Sequence, residues 1–167
     1  LDALANAGER AARGAFGSLK PAAVAVSFGE LAGHNGNRRA PHGPLDEELT
    51  VLSIESGVER ALLVSYSAHP VIVAEREHMV LSADFPGLLI RELERDVSFA
   101  AFAQGALGGV DVLFPADRQL SADENLRRMV DPMVAETLAL ASAAPAHRTD
   151  VLLRFARREW SPGLPDA

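Results

Sequence analysis

The stretch Arg60-Ala61-Leu62-Leu63-Val64-Ser65-Tyr66-Ser67-Ala68-His69-Pro70 decides the fold. It is short, and apolar over most of 62–68, so it reads as a buried strand. Pro70 holds His69 in extended backbone and marks the strand's end. Upstream, residues 49–55 read as a second strand, joined to 60–67 by the turn Ser56-Gly57-Val58-Glu59. Before it, 21–28 alternates as a strand, and 29–47 is broken by Gly33, Gly36, Pro41, Gly43 and Pro44 into a long loop. Loops of that length inside compact domains carry function or are disordered. The first 17 residues, rich in Ala, Leu, Glu and Arg, read as a helix.

Downstream, Ser82-Ala83-Asp84-Phe85-Pro86 reads as a helix start with proline in the first turn. Leu88, Leu89, Leu93 and Val97 form its apolar face. Residues 98–103 read as another buried strand, emptying into the glycine-rich turn Gln104-Gly105-Ala106-Leu107-Gly108-Gly109-Val110-Asp111. Ser121-Ala122-Asp123-Glu124 has the capping-box pattern and opens a long helix to about residue 143, with Pro132 as a point of kinking. Residues 149–155 read as a final strand. The order α-β-loop-β-β-α-β-α-β predicts an α/β fold with a mixed sheet and flanking helices.

Of the 167 residues, 48% are hydrophobic and 23% charged, which is ordinary globular usage and argues against disorder. Sixteen basic against 23 acidic residues leave a net charge of −7. That balance argues against nucleic-acid binding, which needs clustered cations. The absence of cysteine removes disulfides and thiolate metal sites from consideration. No apolar run approaches the roughly 20 residues of a membrane helix. The first residues, Leu1-Asp2-Ala3-Leu4, lack the basic start of a signal peptide. The missing initiator methionine and the loop-like end suggest that 1–167 is a segment of a longer protein, truncated at both ends.

Three places can carry chemistry. His69 lies at the carboxyl end of an apolar strand, where α/β sheets bind ligands and where imidazole is a common zinc ligand. The same position also suits a hydrogen-bonded histidine near the core. The 104–111 turn has three glycines that allow close backbone approach to an anion or oxyanion. It matches neither the P-loop nor the dinucleotide pattern, and a structural tight turn accounts for it as well. Arg38, in Asn37-Arg38-Arg39, can grip a carboxylate or phosphate, or can be a solvated loop charge. His34 and His42 read as surface histidines, and His78 as part of a solvated loop.

Together these pieces resemble the neutral/alkaline non-lysosomal ceramidase family, in its N-terminal catalytic domain, from about 20 to 111 and more weakly to 155. Asn37-Arg38-Arg39 resembles the family's Asn-Arg motif. Leu45-Asp46-Glu47-Glu48-Leu49-Thr50-Val51-Leu52 resembles its Asp-x-Glu element leading into a strand. Ser67-Ala68-His69-Pro70-Val71 is similar to its second zinc histidine, and Ser82-Ala83-Asp84-Phe85-Pro86-Gly87 to its Ser-x-Asp-x-x-Gly helix start. Phe102-Ala103-Gln104-Gly105-Ala106-Leu107-Gly108 resembles its Ala-Gln-x-x-x-Gly-Asp-x-Ser/Asn-Pro loop.

The resemblance implies a zinc-dependent amide hydrolase that splits the N-acyl bond of ceramide, or of a related N-acyl lipid, into sphingoid base and fatty acid. It implies His69 as a metal ligand and Arg38, Gln104 and Asp111 as catalytic residues. Gly105, Gly108 and Gly109 become the loop that receives substrate or oxyanion. Of the family's four zinc ligands (two histidines, a glutamate and a tyrosine) only His69 has a counterpart here. Gly109 stands where the family has Asp, and Asp111 where it has Ser or Asn. A carboxylate can serve as a base but cannot replace a hydroxyl donor at neutral pH. The alternative is a ceramidase-like domain with a degenerate metal site and a non-catalytic or different hydrolytic role. The family is often exported or membrane-associated.

Overall fold

The computed structural model describes residues 2–74, 79–113, 120–152, 154 and 156. His78 and residues 114–119 lie outside them, as do Leu153 and Phe155 of the expected last strand. Helix α1 (Asp2–Gly17) leads to β1 (Ala23–Glu30), a short β2 (Asn35–Asn37), β3 (Glu48–Ser56) and β4 (Glu59–Tyr66). Helix α2 (Asp84–Leu93), β5 (Phe99–Gln104), β6 (Val110–Val112) and helix α3 (Ala122–Ser142) follow. The main sheet has the order β1-β3-β4-β5. β1, β3 and β4 pair antiparallel, and β4 pairs with β5 in parallel. The fold is α/β with a mixed sheet and flanking helices.

Register explains the core. Ala25, Ser53, Leu62 and Ala100 lie in line across the four strands. So do Val51, Val64 and Phe102 across β3, β4 and β5. Their side chains point to one face, because strand side chains alternate. Helices α2 and α3 close that face with Phe85, Leu89, Leu93, Met129 and Met133, all fully buried. The opposite face carries Val26 and Phe28 from β1 and Phe99 from β5, all exposed. The β3–β4 turn is tight because Gly57 adopts φ 62°, a left-handed conformation that favours glycine.

Helix α3 starts as its sequence requires. Ser121 Oγ accepts from Glu124 N at 3.2 Å, and Glu124 Oε2 accepts from Ser121 N at 2.7 Å. Pro132 sits inside a continuous helix.

Two expectations are corrected. The 29–47 loop is not wholly irregular, because β2 inside it pairs antiparallel with β6, Gly36 opposite Asp111. The strand expected at 149–155 is absent over its described residues: an isolated bridge joins Arg148 to Val24, and Val151 and Leu152 remain exposed. Helix α2 starts within the 82–86 stretch that predicts it. Ala83 holds the cap position without a side-chain bond. Asp84, at φ 52°, accepts instead from its neighbour Phe85 N, and Ser82 Oγ accepts from Asp84 N.

Candidate functional site

The parallel pair β4–β5 sends both chains out of the sheet at the same edge. From β4 the chain continues through Ser67 and Ala68 to His69, and from β5 through Gln104 into the glycine turn. β6, at the far end of that turn, folds back beside His69. His69 N donates to Val110 O at 3.0 Å, and His69 and Asp111 form a parallel bridge. On its other side β6 carries β2, so the residue after β2, Arg38, arrives at the turn. Arg38 N donates to Gly109 O at 3.0 Å, and its Nη2 to Gly108 O at 2.9 Å. Three segments far apart in sequence, 35–38, 66–69 and 104–112, therefore meet at one edge.

Asp111 is the centre of charge there. Its Oδ1 lies 3.6 Å from Arg38 Nη1 and 3.8 Å from His69 Nδ1. Gln104 does not face this group. Its Nε2 donates to Ala68 O at 3.0 Å and lies 3.4 Å from Tyr66 O, tying the end of β5 to the chain that leads to His69. The three glycines differ in kind. Gly105 is packed hard on β4, since a Cβ there would lie 2.9 Å from Tyr66 O and closer still to Ser67 Oγ. Gly108 and Gly109 have open space where a Cβ would go. Gly105 is thus a packing requirement, while Gly108 and Gly109 leave their backbone open to a neighbour.

Several supporting residues carry no assigned role in the sequence reading. Ser67 Oγ donates to Asp46 Oδ2 at 2.6 Å and accepts from Ala106 N at 3.0 Å. Asn35, fully buried, donates through Nδ2 to Asp46 O and Ser67 O. Asn37 Oδ1 accepts from Arg39 N and Ala40 N, which bends the chain just after Arg38. Asp84 Oδ2 accepts from Val73 N at 2.7 Å and anchors the segment following His69. Asp46, Ser67 and Asp84 all fall in the motifs quoted above, but their bonding depends on partners 11 to 39 residues away in sequence.

Tyr66 underlies this edge. Its hydroxyl donates to Leu31 O at 2.9 Å. Burial, then the negative charges of Glu47 and Asp46, push its pKa well above the ordinary tyrosine range. The raised value means the folded state holds this proton more tightly than the unfolded chain. That contribution is complete below about pH 10, the ordinary tyrosine value, and falls as pH rises beyond it. Tyr66 is the only tyrosine. Tyrosinate absorbance is therefore expected to stay absent about one pH unit above 10 in the native protein, and to be well developed in the urea-unfolded chain. Equal titration of the two forms, with the native protein still folded, would contradict this.

Among the described residues, no group of three or more His, Cys, Asp or Glu is placed to hold a metal ion. His42 is exposed on the surface, and His34 Nδ1 lies 2.9 Å from Ala32 O. His147 contacts Ser53 Oγ at 3.0 Å, well away from the site. A catalytic zinc takes three protein ligands, and these residues offer one imidazole, so by themselves they do not fit it. No described helix is long and apolar enough to cross a membrane.

No protein-family model matches the chain, and no curated protein does. Solved structures do. A neutral ceramidase from Pseudomonas aeruginosa is 23% identical with a TM-score of 0.65, over 80% of this chain and 24% of that one. A ceramidase solved in complex with C2 is 23% identical with a TM-score of 0.64, over 77% of this chain and 23% of the other. The chain spans about a quarter of the length of these structures. In its fold it is a neutral-ceramidase-like segment.

Proposed function

We propose that these residues form part of a hydrolase of the neutral ceramidase type, which cleaves the N-acyl bond of ceramide or a related N-acyl lipid. One observation carries the reading. Arg38, His69 and the 104–109 turn, which resemble family motifs, converge with Asp111 on one edge of a sheet whose fold is that of neutral ceramidases. In this reading Arg38 orients the polar head or carbonyl of the substrate, as a guanidinium does with oxygen acceptors. The Gly108–Gly109 backbone lies against the reacting group, and His69 supplies an imidazole nitrogen. Zinc belongs to the reading with further ligands from outside these residues. A metal there would polarise the amide carbonyl and activate water.

A second reading, a domain that keeps the fold without catalysis, is favoured by the ligand tally and by the carboxylate of Asp111 in place of a hydroxyl. The intact polypeptide separates the two. With an N-acyl sphingoid substrate, Arg38→Ala is expected to lower kcat/KM at least tenfold, about 1.4 kcal/mol of transition-state stabilisation. Its melting temperature should barely move, because the Arg38 side chain is 41% exposed and exposed ion pairs are worth about 0–1 kcal/mol. Undiminished turnover in the variant would return Arg38 to a solvated charge. No turnover in the wild type, with zinc supplied, would favour the non-catalytic domain.

A further inference from the structure

We infer that Asp111 is a positioning residue: its carboxylate holds the proton of His69 on Nδ1, leaving Nε2 with the free lone pair. The inference deepens the reading above, and rests on it only for what Nε2 then meets.

The backbone makes the pairing unavoidable. His69 and Asp111 are bridge partners in parallel register, with His69 N bonded to Val110 O at 3.0 Å. Bridge partners present their side chains on the same face, side by side. His69 Nδ1 and Asp111 Oδ1 are both closed to solvent, and neither has a hydrogen bond. They lie 3.8 Å apart. Buried polar atoms pair where a partner is in reach, and each of these two is within 4 Å of the other. Solvent cannot substitute for either. The His69 side chain is nonetheless 35% exposed, so solvent reaches the ring from the side away from Nδ1.

Arg38 fixes the polarity of the pair. Its Nη1 faces the same Oδ1 at 3.6 Å, while its Nη2 is held on Gly108 O. An oxygen facing a guanidinium is an acceptor, so the proton between Asp111 and His69 belongs on the imidazole. The hydrogen bond made by one ring nitrogen decides which nitrogen is left to bind or accept. An Nδ1-protonated ring offers Nε2 to a cation or to a proton from substrate. A ring free in water prefers the opposite tautomer, so the assignment has a spectroscopic signature that packing alone would not produce.

The test is a long-range nitrogen–proton correlation spectrum of the protein with ring-labelled histidine. It is taken at alkaline pH, and the same nitrogen shifts report whether the ring is neutral. His69→Gln identifies the resonance among the five histidines. The wild type is expected to show His69 protonated on Nδ1. Asp111→Ala should shift the tautomer ratio at least tenfold towards Nε2, and Asp111→Asn, which keeps an acceptor oxygen, should restore part of the preference. A wild-type His69 protonated on Nε2 would overturn the inference even if no variant folded. So would an unchanged ratio in folded Asp111→Ala. Failure of the ceramidase reading would appear in the hydrolysis assay and leave this spectrum as it is.

Discussion

Phe85→Ala is expected to cost about 3–5 kcal/mol of folding stability, the range for emptying a buried aromatic position. Phe85 is wholly buried in the first turn of α2 and meets Phe102 of β5 edge-on, with ring centroids 5.5 Å apart. It therefore ties a helix to the strand that empties into the glycine turn. Removing it takes away both the transfer energy of a large ring and an aromatic pair worth about 0.5–1.5 kcal/mol beyond its area. Against a total of about 5–15 kcal/mol for an ordinary domain, that is a large share. The effect extends to the site, because Asp84, its neighbour, holds Val73 N four residues past His69. Urea denaturation should show the midpoint falling with little change in slope. A loss below about 1 kcal/mol would mean that α2 closes over the gap, and that the helix is not the clamp described here.

The parts of this fold that were legible in the sequence are those where local pattern and tertiary demand agree. Leu62, Val64, Tyr66 and Ala68 are buried where the apolar run places them, and Ser121 and Glu124 make the reciprocal cap their spacing predicts. What was not legible depends on distant pairing. Asn35-Gly36-Asn37 has poor strand propensity, yet it forms β2 because Val110–Val112 offers a ladder. Residues 149–155 read as a strand, but among the described residues there only Arg148, just before them, finds a bridge partner, on β1. In α1 the composition predicted a helix correctly, but no α1 residue is buried. Helix propensity and an exposed Glu9–Arg13 pair at 2.8 Å shape α1.

The same division runs through the site. That His69 and the glycine turn would share an edge followed from two apolar strands ending together, once they were parallel. That Asp111 would lie between His69 and Arg38 did not follow, since it needs β6 inserted between the end of β4 and β2. The Ser67–Asp46–Asn35 bonds were invisible for the same reason: each partner is an ordinary polar residue until the register is known.

Gly105→Ala is the sharpest test of that architecture. A Cβ at Gly105 would sit 2.9 Å from Tyr66 O and 3.0 Å from Tyr66 C, both backbone atoms of a central strand, and closer still to Ser67 Oγ. The serine hydroxyl is committed, because it donates to Asp46 and accepts from Ala106 N. The turn must therefore lift away from β4. That breaks the Gly105 N to Tyr66 O bond of 3.0 Å and loosens the route to β6. Overpacking of this kind costs about 1–3 kcal/mol, and the rigid partner places this case at the upper end. Gly108→Ala provides the contrast. Its Cβ would meet open space, and its φ is not in the left-handed region. Alanine there should leave stability unchanged, or raise it by up to about 1 kcal/mol through the unfolded chain. Amide hydrogen exchange adds a local reading. In Gly105→Ala the His69 amide, bonded to Val110 O, should lose protection before the β3–β4 amides do. Matching stabilities for the two variants, or His69 protection unchanged in Gly105→Ala, would mean the turn is not seated on β4 as the geometry requires.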